Sequence, residues 1–501
     1  MWFMAAGLTW QRHRRTHRRF HPAIFCILFL GGLARGNDAA PPVPDRPWAP
    51  PGLGEYESAL ARTNAAAAQS PTVTIDPQKI YDLPELIDLA ERSHPETRVA
   101  WERARQAARA VGLNESAYYP YLAASASGAY AHELGTLTSV FPVNAAEEDA
   151  GLDLKWLLFD FGGRHATLDA ARAQLMAANV GFNATHQQIV FAVTKSFYAF
   201  NTAREEVAVA ESSLQAAQTV DDAAQARFTN GLATKPDALQ AEQETAQAAY
   251  ELDAARGNLS DAQIALVESL GIVPDPNLHM AEIPDKRFAE NPEEPLDELV
   301  DRALSQRPDL VAKLATLHAL QAEVREARAA YYPKISFEGS AGWSKLDISA
   351  YDSPYVGNSK PVYGVGVAID VPIFDGFLRR NKLRIAESKL LAAQTELSGS
   401  HDAAVREVWK AYTDLKTALR KQISSDKLLA AAQSAFDASL ESYRQGLATY
   451  VQTANAQRNL TAARSAVVEV RSAIFTGTAA LALSVGDLAK PAPSANPCHQ
   501  P

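Results

Sequence analysis

Residues 83–95 read LPELIDLAERSHP, and residues 296–308 read LDELVDRALSQRP. Each stretch is followed by a helical pattern that ends in AYYP, at residues 117–120 and at residues 330–333. The second copy of both motifs lies 213 positions after the first, from 83 to 296 and from 117 to 330. Because chance agreement at one common spacing is very improbable, we interpret the chain as containing an internal duplication.

The duplication continues beyond these motifs. Three further motif pairs lie 215 positions apart: LLFDFGGR at 157–164 and PIFDGFLR at 372–379, FTNGLAT at 228–234 and YRQGLAT at 443–449, SLG at 269–271 and SVG at 484–486. A two-residue length difference before the second set of motifs reconciles the two spacings. We therefore predict one unit written twice, a first repeat over 79–285 and a second repeat over 286–488.

The residues after each AYYP alternate between apolar and polar side chains, which is typical of strands. Val365 and Val367, for example, flank Gly366. The predicted strands are two in each repeat: about 121–135 and 148–159, and about 334–346 and 361–374. Polar loops are expected at 136–147 and 347–360, and the acidic run 147–149 is interpreted as solvated loop. About 10–12 residues is the length of a tilted membrane strand, but the alternation alone equally fits a soluble sheet.

A long helical pattern without proline follows each strand pair. It runs from Arg164 to about Phe228 and from Arg379 to about Tyr443. Small or apolar residues recur every three or four positions, which indicates a coiled-coil seam. About 65 residues in a helix span roughly 100 Å, a length that no compact domain needs.

Both long helices are predicted to end at a Gly-Leu-Ala-Thr sequence. The residues suited to this turn are a left-handed C-cap glycine and an N-cap threonine in each repeat: Gly231, Thr234, Gly446 and Thr449. The chain is therefore expected to turn sharply and to return as helices over 235–270 and 450–485.

The N-terminus has the pattern of an export signal. Residues 12–19 read RHRRTHRR and residues 23–34 read AIFCILFLGGLA, which predicts a signal peptide over 1–36. Residues 37–78 are rich in proline and alanine and predict a flexible arm, and 489–501 predict a flexible tail. No later stretch approaches the about 18 consecutive apolar residues of a membrane helix.

Composition excludes several classes of protein. The 501 residues contain 48 Lys and Arg against 58 Asp and Glu, so no global basic field favours nucleic acid. Two cysteines exclude a disulfide framework and any four-thiolate metal site. No GxSxG, HExxH or P-loop occurs, so neither an enzyme nor a cofactor or metal site is expected.

The predicted strands call for partners. Four strands cannot close a barrel, and an open sheet edge is not tolerated in lipid. If these strands face lipid, at least two chains must pool them, because eight strands is the usual lower limit. We therefore expect a homo-oligomer with helices below a shared barrel.

Together these features resemble the outer-membrane efflux protein (TolC) family over about 80–488. The resemblance implies an α+β, mostly helical fold whose helix–strand–strand–helix unit is duplicated. It implies a homotrimer with a 12-stranded outer-membrane β-barrel, continuous with a long periplasmic α-helical coiled-coil barrel. It also implies a passive exit duct for an inner-membrane pump and a periplasmic adaptor, in efflux or type I secretion.

The resemblance also assigns roles to residues at the turns. Adaptor or pump docking falls on the tips: Gly231, Leu232, Thr234, Gly446, Leu447 and Thr449. The aperture falls on the next turns: Asp237, Gln240, Gln452 and Asn455. Family members often carry acidic residues at the last two positions, and some carry a latching Arg where this chain has Ala448. A polar aperture without a charge latch is the resulting hypothesis, and Gln452 could equally serve as a capping residue only.

Two alternatives remain at this point. An exported soluble coiled-coil adaptor or adhesin would keep the helices and lose the barrel, and it predicts strands with polar outer faces. A dedicated protein-secretion duct would look the same as an efflux duct, because specificity resides largely in the pump. The sequence indicates neither the transported substrate nor the class of pump.

Overall fold

The computed structural model describes these parts of the chain: residues 53–68, 76, 78–133, 143–272, 278–283, 288, 292, 294–350 and 356–488. The chain divides into two units, Met1–Thr72 and Val73–Pro501. The predicted signal peptide over 1–36 and tail over 489–501 lie outside the described residues.

In the first unit, helix α1 (Leu53–Ala68) corrects part of the sequence analysis, which predicts a flexible arm over 37–78. The prolines that suggested an arm lie outside this helix. The helix itself ends in a run of alanines, and alanine is the strongest helix former. Most of the remaining arm lies outside the described residues.

In the second unit, each repeat contains two short helices, two strands, one long helix and one return helix. The first repeat comprises α2 (Leu83–Ser93), α3 (Pro95–Glu115), β2 (Tyr121–Glu133), β3 (Val143–Phe159), α4 (Gly163–Thr229) and α5 (Lys235–Leu270). The second comprises α6 (Leu296–Gln306), α7 (Pro308–Ala329), β5 (Lys334–Ala350), β6 (Val356–Asp370), α8 (Leu378–Arg444) and α9 (Tyr450–Val485). Two short strands, β1 (Ile80–Tyr81) and β4 (His279–Met280), pair in parallel.

The duplicated unit is confirmed by the lengths of its helices. Helices α4 and α8 each have 67 residues. The return helices α5 and α9 each have 36 residues and match the predicted ranges at both ends. The two repeats therefore use the same local signals at corresponding positions.

The four long strands form one antiparallel sheet in the order β2-β3-β5-β6. They have 13, 17, 17 and 15 residues, so the predicted length of about 10–12 is too short. The loops predicted over 136–147 and 347–360 are both wrong in part, because β3 begins at Val143, β5 runs to Ala350 and β6 begins at Val356. Residues 136–142 lie outside the described residues.

The acidic run 147–149 also belongs to a strand, β3, and not to a solvated loop. One of its members, Glu148, has an oppositely charged partner across the sheet. Glu148 lies opposite Lys345, and the Lys345 ammonium lies 3.4 Å from the Glu148 carboxylate. At its other end β6 stops at Asp370 and not at 374, since Pro372 has no N–H to donate to a ladder.

The two faces of this sheet differ in polarity. Residues that lie directly opposite one another share a face. The apolar face carries large side chains that are exposed in the single chain: Leu122, Leu152, Trp156, Trp343, Tyr363, Val365, Val367 and Ile369. The opposite face carries small, polar and charged residues: Ser125, Asp149, Asp153, Lys155, Glu338, Ser340, Gly364 and Gly366.

The AYYP and FD motifs meet where the strands join the long helices. In the first repeat, the Arg164 guanidinium donates to the carbonyls of Leu157 at 2.6 Å and Leu158 at 2.9 Å. It also lies over the Tyr118 ring, 4.8 Å from the centroid. The carboxylate of Asp160 accepts from the Arg164 backbone N–H at 2.6 Å and so caps α4.

The second repeat has the same junction with a simpler hydrogen-bond set. The Arg379 Nε donates to Asp375 at 2.6 Å, and the guanidinium lies over the Tyr331 ring at 5.2 Å. The hydrogen bond from Arg379 holds the pKa of Asp375 below its usual value. The two motifs recur together because each contributes half of one contact.

A second contact recurs in both repeats. The end of each return helix packs against the junction between the two short helices of its repeat. Gly271 after α5 has φ +66, and a Cβ there would lie 2.8 Å from the His94 Cα. Gly486 after α9 has φ +88, and its Cβ would lie 3.2 Å from the Arg307 Cα. Glycine is needed at both positions because of the left-handed backbone and the close approach.

Replacing Gly271 by alanine is expected to lower the free energy of unfolding by about 2 kcal/mol or more, through backbone strain and the clash at His94. The control is Gly257→Ala inside α5, where no atom lies within 4 Å of the added Cβ. That change should be neutral or stabilise by up to about 1 kcal/mol. Urea unfolding followed by circular dichroism measures both, and equal effects would contradict this account.

Candidate functional site at the helical tips

The two turns that join the long and return helices have the same backbone. Gly231 has φ +72 and Gly446 has φ +83, as the sequence predicts for left-handed caps. The Leu232 N–H donates to the carbonyl of Arg227 at 2.8 Å, and the Leu447 N–H donates to that of Ser442 at 2.8 Å. We call residues 227–237 the first tip and residues 442–452 the second tip.

Each tip also begins its return helix with a capping box, as predicted. The Thr449 hydroxyl accepts from the Gln452 N–H at 3.4 Å, and the Gln452 Oε1 accepts from the Thr449 N–H at 2.9 Å. Thr234 and Asp237 form the same reciprocal pair at 3.4 Å and 3.2 Å. Two of the four aperture candidates, Asp237 and Gln452, therefore have a structural role as caps.

The other aperture candidates are exposed one turn further along. Gln240 lies on α5, three residues after Asp237, and Asn455 lies on α9, three residues after Gln452. A spacing of three places each pair on one helix face. The Asn455 Oδ1 accepts from Arg458 at 2.7 Å, and Arg458 lies 3.5 Å from Glu244 on α5. The structure thus connects the two return helices beside these residues.

The interior of the tips is packed with small residues and two tyrosines. Ala224, Ala241 and Ala454 are buried between the helices, and their size allows close approach. The rings of Tyr443 and Tyr450 lie 6.4 Å apart, centroid to centroid. Burial raises the pKa of Tyr450 to about 12. Both tyrosines therefore stay neutral, and the tip is a packed end of four helices.

The tips present apolar side chains and a groove to the outside. Leu232 is 67% exposed and Leu447 is 79% exposed. An open groove of about 480 Å³ lies beside them, and its lining includes Asp222, Arg227 and Arg444. Exposed leucines beside charged groups are typical of a binding surface.

The sequence analysis missed Arg227, which contacts both tips. Its Nη1 donates to the carbonyl of Tyr443 at 2.6 Å, and its Nη2 donates to that of Leu232 at 3.1 Å. The available signal was a cation in the last turn of α4, where helix carbonyls favour positive charge. The contact with Tyr443 could not be predicted from the sequence, because the two residues lie 216 positions apart.

The described residues also bear on metal binding and on helical membrane spans. No group of three or more His, Cys, Asp or Glu is placed to hold a metal ion in the described part of the chain. One described helix, α9, is long and apolar enough by composition to cross a membrane, although the sequence analysis predicts no helical span. Leu460 and Ile474 of this helix are buried among neighbouring helices, and 17% of its most apolar window is buried in the single chain.

The chain is similar to a known protein family and to individual relatives. Residues 86–272 and 299–487 match the family described as Outer membrane efflux protein. The chain is 29% identical over 408 residues to Protein CyaE of Bordetella pertussis, with 81% of this chain and 84% of that protein covered. It is 25% identical over 342 residues to Outer membrane efflux protein BepC of Brucella suis, with 67% and 71% covered.

The fold has solved counterparts. Superposition on the outer-membrane channel OprN has a TM-score of 0.73 at 21% sequence identity, over 83% of this chain and 97% of that one. The TolC-like fold expected from the resemblance is therefore confirmed. Together with the family match, the apolar sheet face favours this fold over the alternative of a soluble adaptor, which predicts polar outer faces.

The family match takes in both repeats and more than half of the chain. The chain therefore belongs to the outer membrane efflux protein family and is a channel of the outer membrane that serves efflux or secretion.

Proposed function

We propose that this efflux channel works as a homotrimeric conduit in which three chains pool their sheets into one twelve-stranded barrel. The observation that carries the proposal is the sheet itself, which has four strands and one exposed apolar face. Its outermost strands, β2 and β6, each have one edge without a strand partner among the described residues. Because lipid offers no hydrogen bonds, these edges must pair with other copies.

The helices supply the other half of the conduit. Helices α4 and α8 have 67 residues each, which corresponds to roughly 100 Å. They follow directly from the strands, so they extend the barrel on its periplasmic side. With many alanines along their seams, helices of three chains can pack closely into a closed tube.

The tips are the proposed docking site for a periplasmic adaptor and, through it, an inner-membrane pump. Exposed Leu232 and Leu447 and the neighbouring groove support this placement. The pump supplies the energy, and the channel conducts passively. One such duct can serve drug efflux, metal efflux or type I secretion, since the pump selects the cargo.

The aperture is proposed to lie at Asp237, Gln240, Gln452 and Asn455, next to the tips. The two α9 positions carry amides and no carboxylates, and Ala448 stands where a latching Arg would lie. We therefore propose a polar constriction that is held by hydrogen bonds and packing.

Planar-bilayer recording of the detergent-extracted protein tests this function. The native protein is expected to open discrete channels. Gln452→Lys adds one positive charge per chain, and the cation-to-anion permeability ratio should fall by about twofold or more, as for other charged rings in pores. Gln452→Glu is the control, because glutamate keeps the capping box and reverses the charge.

The control variant should raise the same permeability ratio. Equal changes in both variants would mean that the charge at position 452 does not set the ratio, and unchanged ratios would remove Gln452 from the aperture. A native protein without any conductance would contradict the conduit itself.

A further inference from the structure

The two tips share a backbone but differ at the residue whose carbonyl accepts the turn hydrogen bond. Arg227 accepts the turn hydrogen bond of the first tip through its carbonyl, and Ser442 does so in the second, 215 positions later (227 to 442). Only the first of these residues has a side chain that can reach the other tip. Among the hydrogen bonds of the described residues, the one that joins the first tip to the second is donated by Arg227.

The guanidinium lies where two helices end. Helix α4 ends at Thr229 and helix α8 ends at Arg444, and the last carbonyls of a helix have no partner within it. The ends of both helices also carry partial negative charge. Arg227 donates to the Leu232 carbonyl in its own tip at 3.1 Å and to the Tyr443 carbonyl at 2.6 Å.

The remaining contacts hold the guanidinium in place. It lies over the Tyr443 ring, 5.0 Å from the centroid, in a cation–π contact. A Cβ at Gly446 would lie 3.2 Å from the Arg227 Nη1. Glycine at 446 thus provides the left-handed turn and leaves space for the arginine. The planar guanidinium of arginine has several N–H donors and can donate to two carbonyls at once. The single ammonium of lysine does this less well.

We infer that Arg227 is a positioning residue that tethers the first tip to the second tip within one chain and so keeps the aperture narrow. The inference rests on the proposed placement of the tips beside the aperture. The Leu232 residue is exposed and Tyr443 is buried, so water reaches the Tyr443 carbonyl only when the tips separate. Separation of the two hairpins then costs the hydrogen bond to Tyr443 and the contact with its ring, and the helices themselves remain folded.

Arg227→Gln tests the tether against a matched control, Lys427→Gln. Both changes remove one positive charge from the hairpins. Lys427 lies on α8 outside both tips, is exposed, and has no side-chain hydrogen bond or ion pair among the described residues. Arg227→Lys is the third variant, since lysine keeps the charge and loses the fork.

Two readouts follow the tips and the aperture. Nitroxide labels on Leu232→Cys and Leu447→Cys, in a Cys498→Ser background with labelled chains diluted into unlabelled ones, report the distance between tips by pulsed EPR. Arg227→Gln should lengthen and broaden this distance and raise the open fraction in planar bilayers about tenfold, as expected for one lost charge-assisted hydrogen bond. Arg227→Lys should be intermediate, and Lys427→Gln should match the native protein.

The outcomes separate the tether from the proposed function. Native channels with unchanged distance and open fraction in Arg227→Gln would overturn the tether and leave the conduit intact. An equal effect of Lys427→Gln would also overturn it, because the change would then follow charge alone. Absence of native conductance would instead contradict the conduit.

Discussion

Val365→Lys is expected to abolish assembly of the channel in the membrane, whereas Gly366→Lys, one residue later, should leave assembly intact. Val365 lies midway along β6 on the apolar face and is 81% exposed in the single chain. Lysine on the lipid face near the bilayer centre costs about 2–4 kcal/mol, and a trimer would carry three such residues. Gly366 lies on the polar face, and no atom lies within 4 Å of an added Cβ.

Outer-membrane fractionation and the oligomeric mass of the extracted protein measure this difference. The assembled Gly366→Lys channel should also prefer cations less than the native channel, because its lysine faces the same side as Asp153 and Glu338. If Val365→Lys assembled normally and Gly366→Lys did not, the assignment of the two sheet faces would be reversed.

Arg164→Ala is expected to lower the free energy of unfolding by about 3 kcal/mol or more. The Arg164 side chain is 13% exposed and lies 3.6 Å from the Asp160 carboxylate. Its loss leaves the carbonyls of Leu157 and Leu158 and a buried carboxylate without their charged partner. Arg164→Lys should recover only part of the loss, because one ammonium cannot reproduce the forked contact.

The control for this prediction is Arg172→Ala, eight residues further along α4. Arg172 is 55% exposed and pairs with Glu115, and such surface pairs contribute about 1 kcal/mol or less. Thermal unfolding of the two variants in detergent provides the comparison. Equal destabilisation by both changes would show that the strand–helix junction has no special role.

The helical part of the fold could be predicted well because its signals are local. Thr234 and Thr449 each form the predicted capping box, and Gly271 and Gly486 each adopt the left-handed cap after the return helix. Such signals depend on a few neighbouring residues, so both ends of α5 and α9 follow from the sequence.

The ends of the strands could not be predicted in the same way. A ladder continues as long as a neighbour offers hydrogen bonds, and hydrophobicity along one strand does not reveal this. Glu148 remains in β3 because Lys345 lies opposite, nearly two hundred positions away. Helix α1 was missed because proline on either side dominates the composition of that region.

The residues of the candidate site show the same difference between local and long-range signals. The turn glycines and capping residues were predicted from local patterns, and the structure places them at the two tips. Arg227 was missed because its function depends on a contact between the repeats. The roles of Gln240 and Asn455 at an aperture stay predictions, since an aperture exists only between chains.

The mass of the detergent-extracted, signal-processed protein tests the central claim most directly, because the barrel requires pooling of sheets. Light scattering with the detergent contribution subtracted should give the mass of three chains. A particle of one or two chains would contradict a twelve-stranded barrel built from four strands per chain.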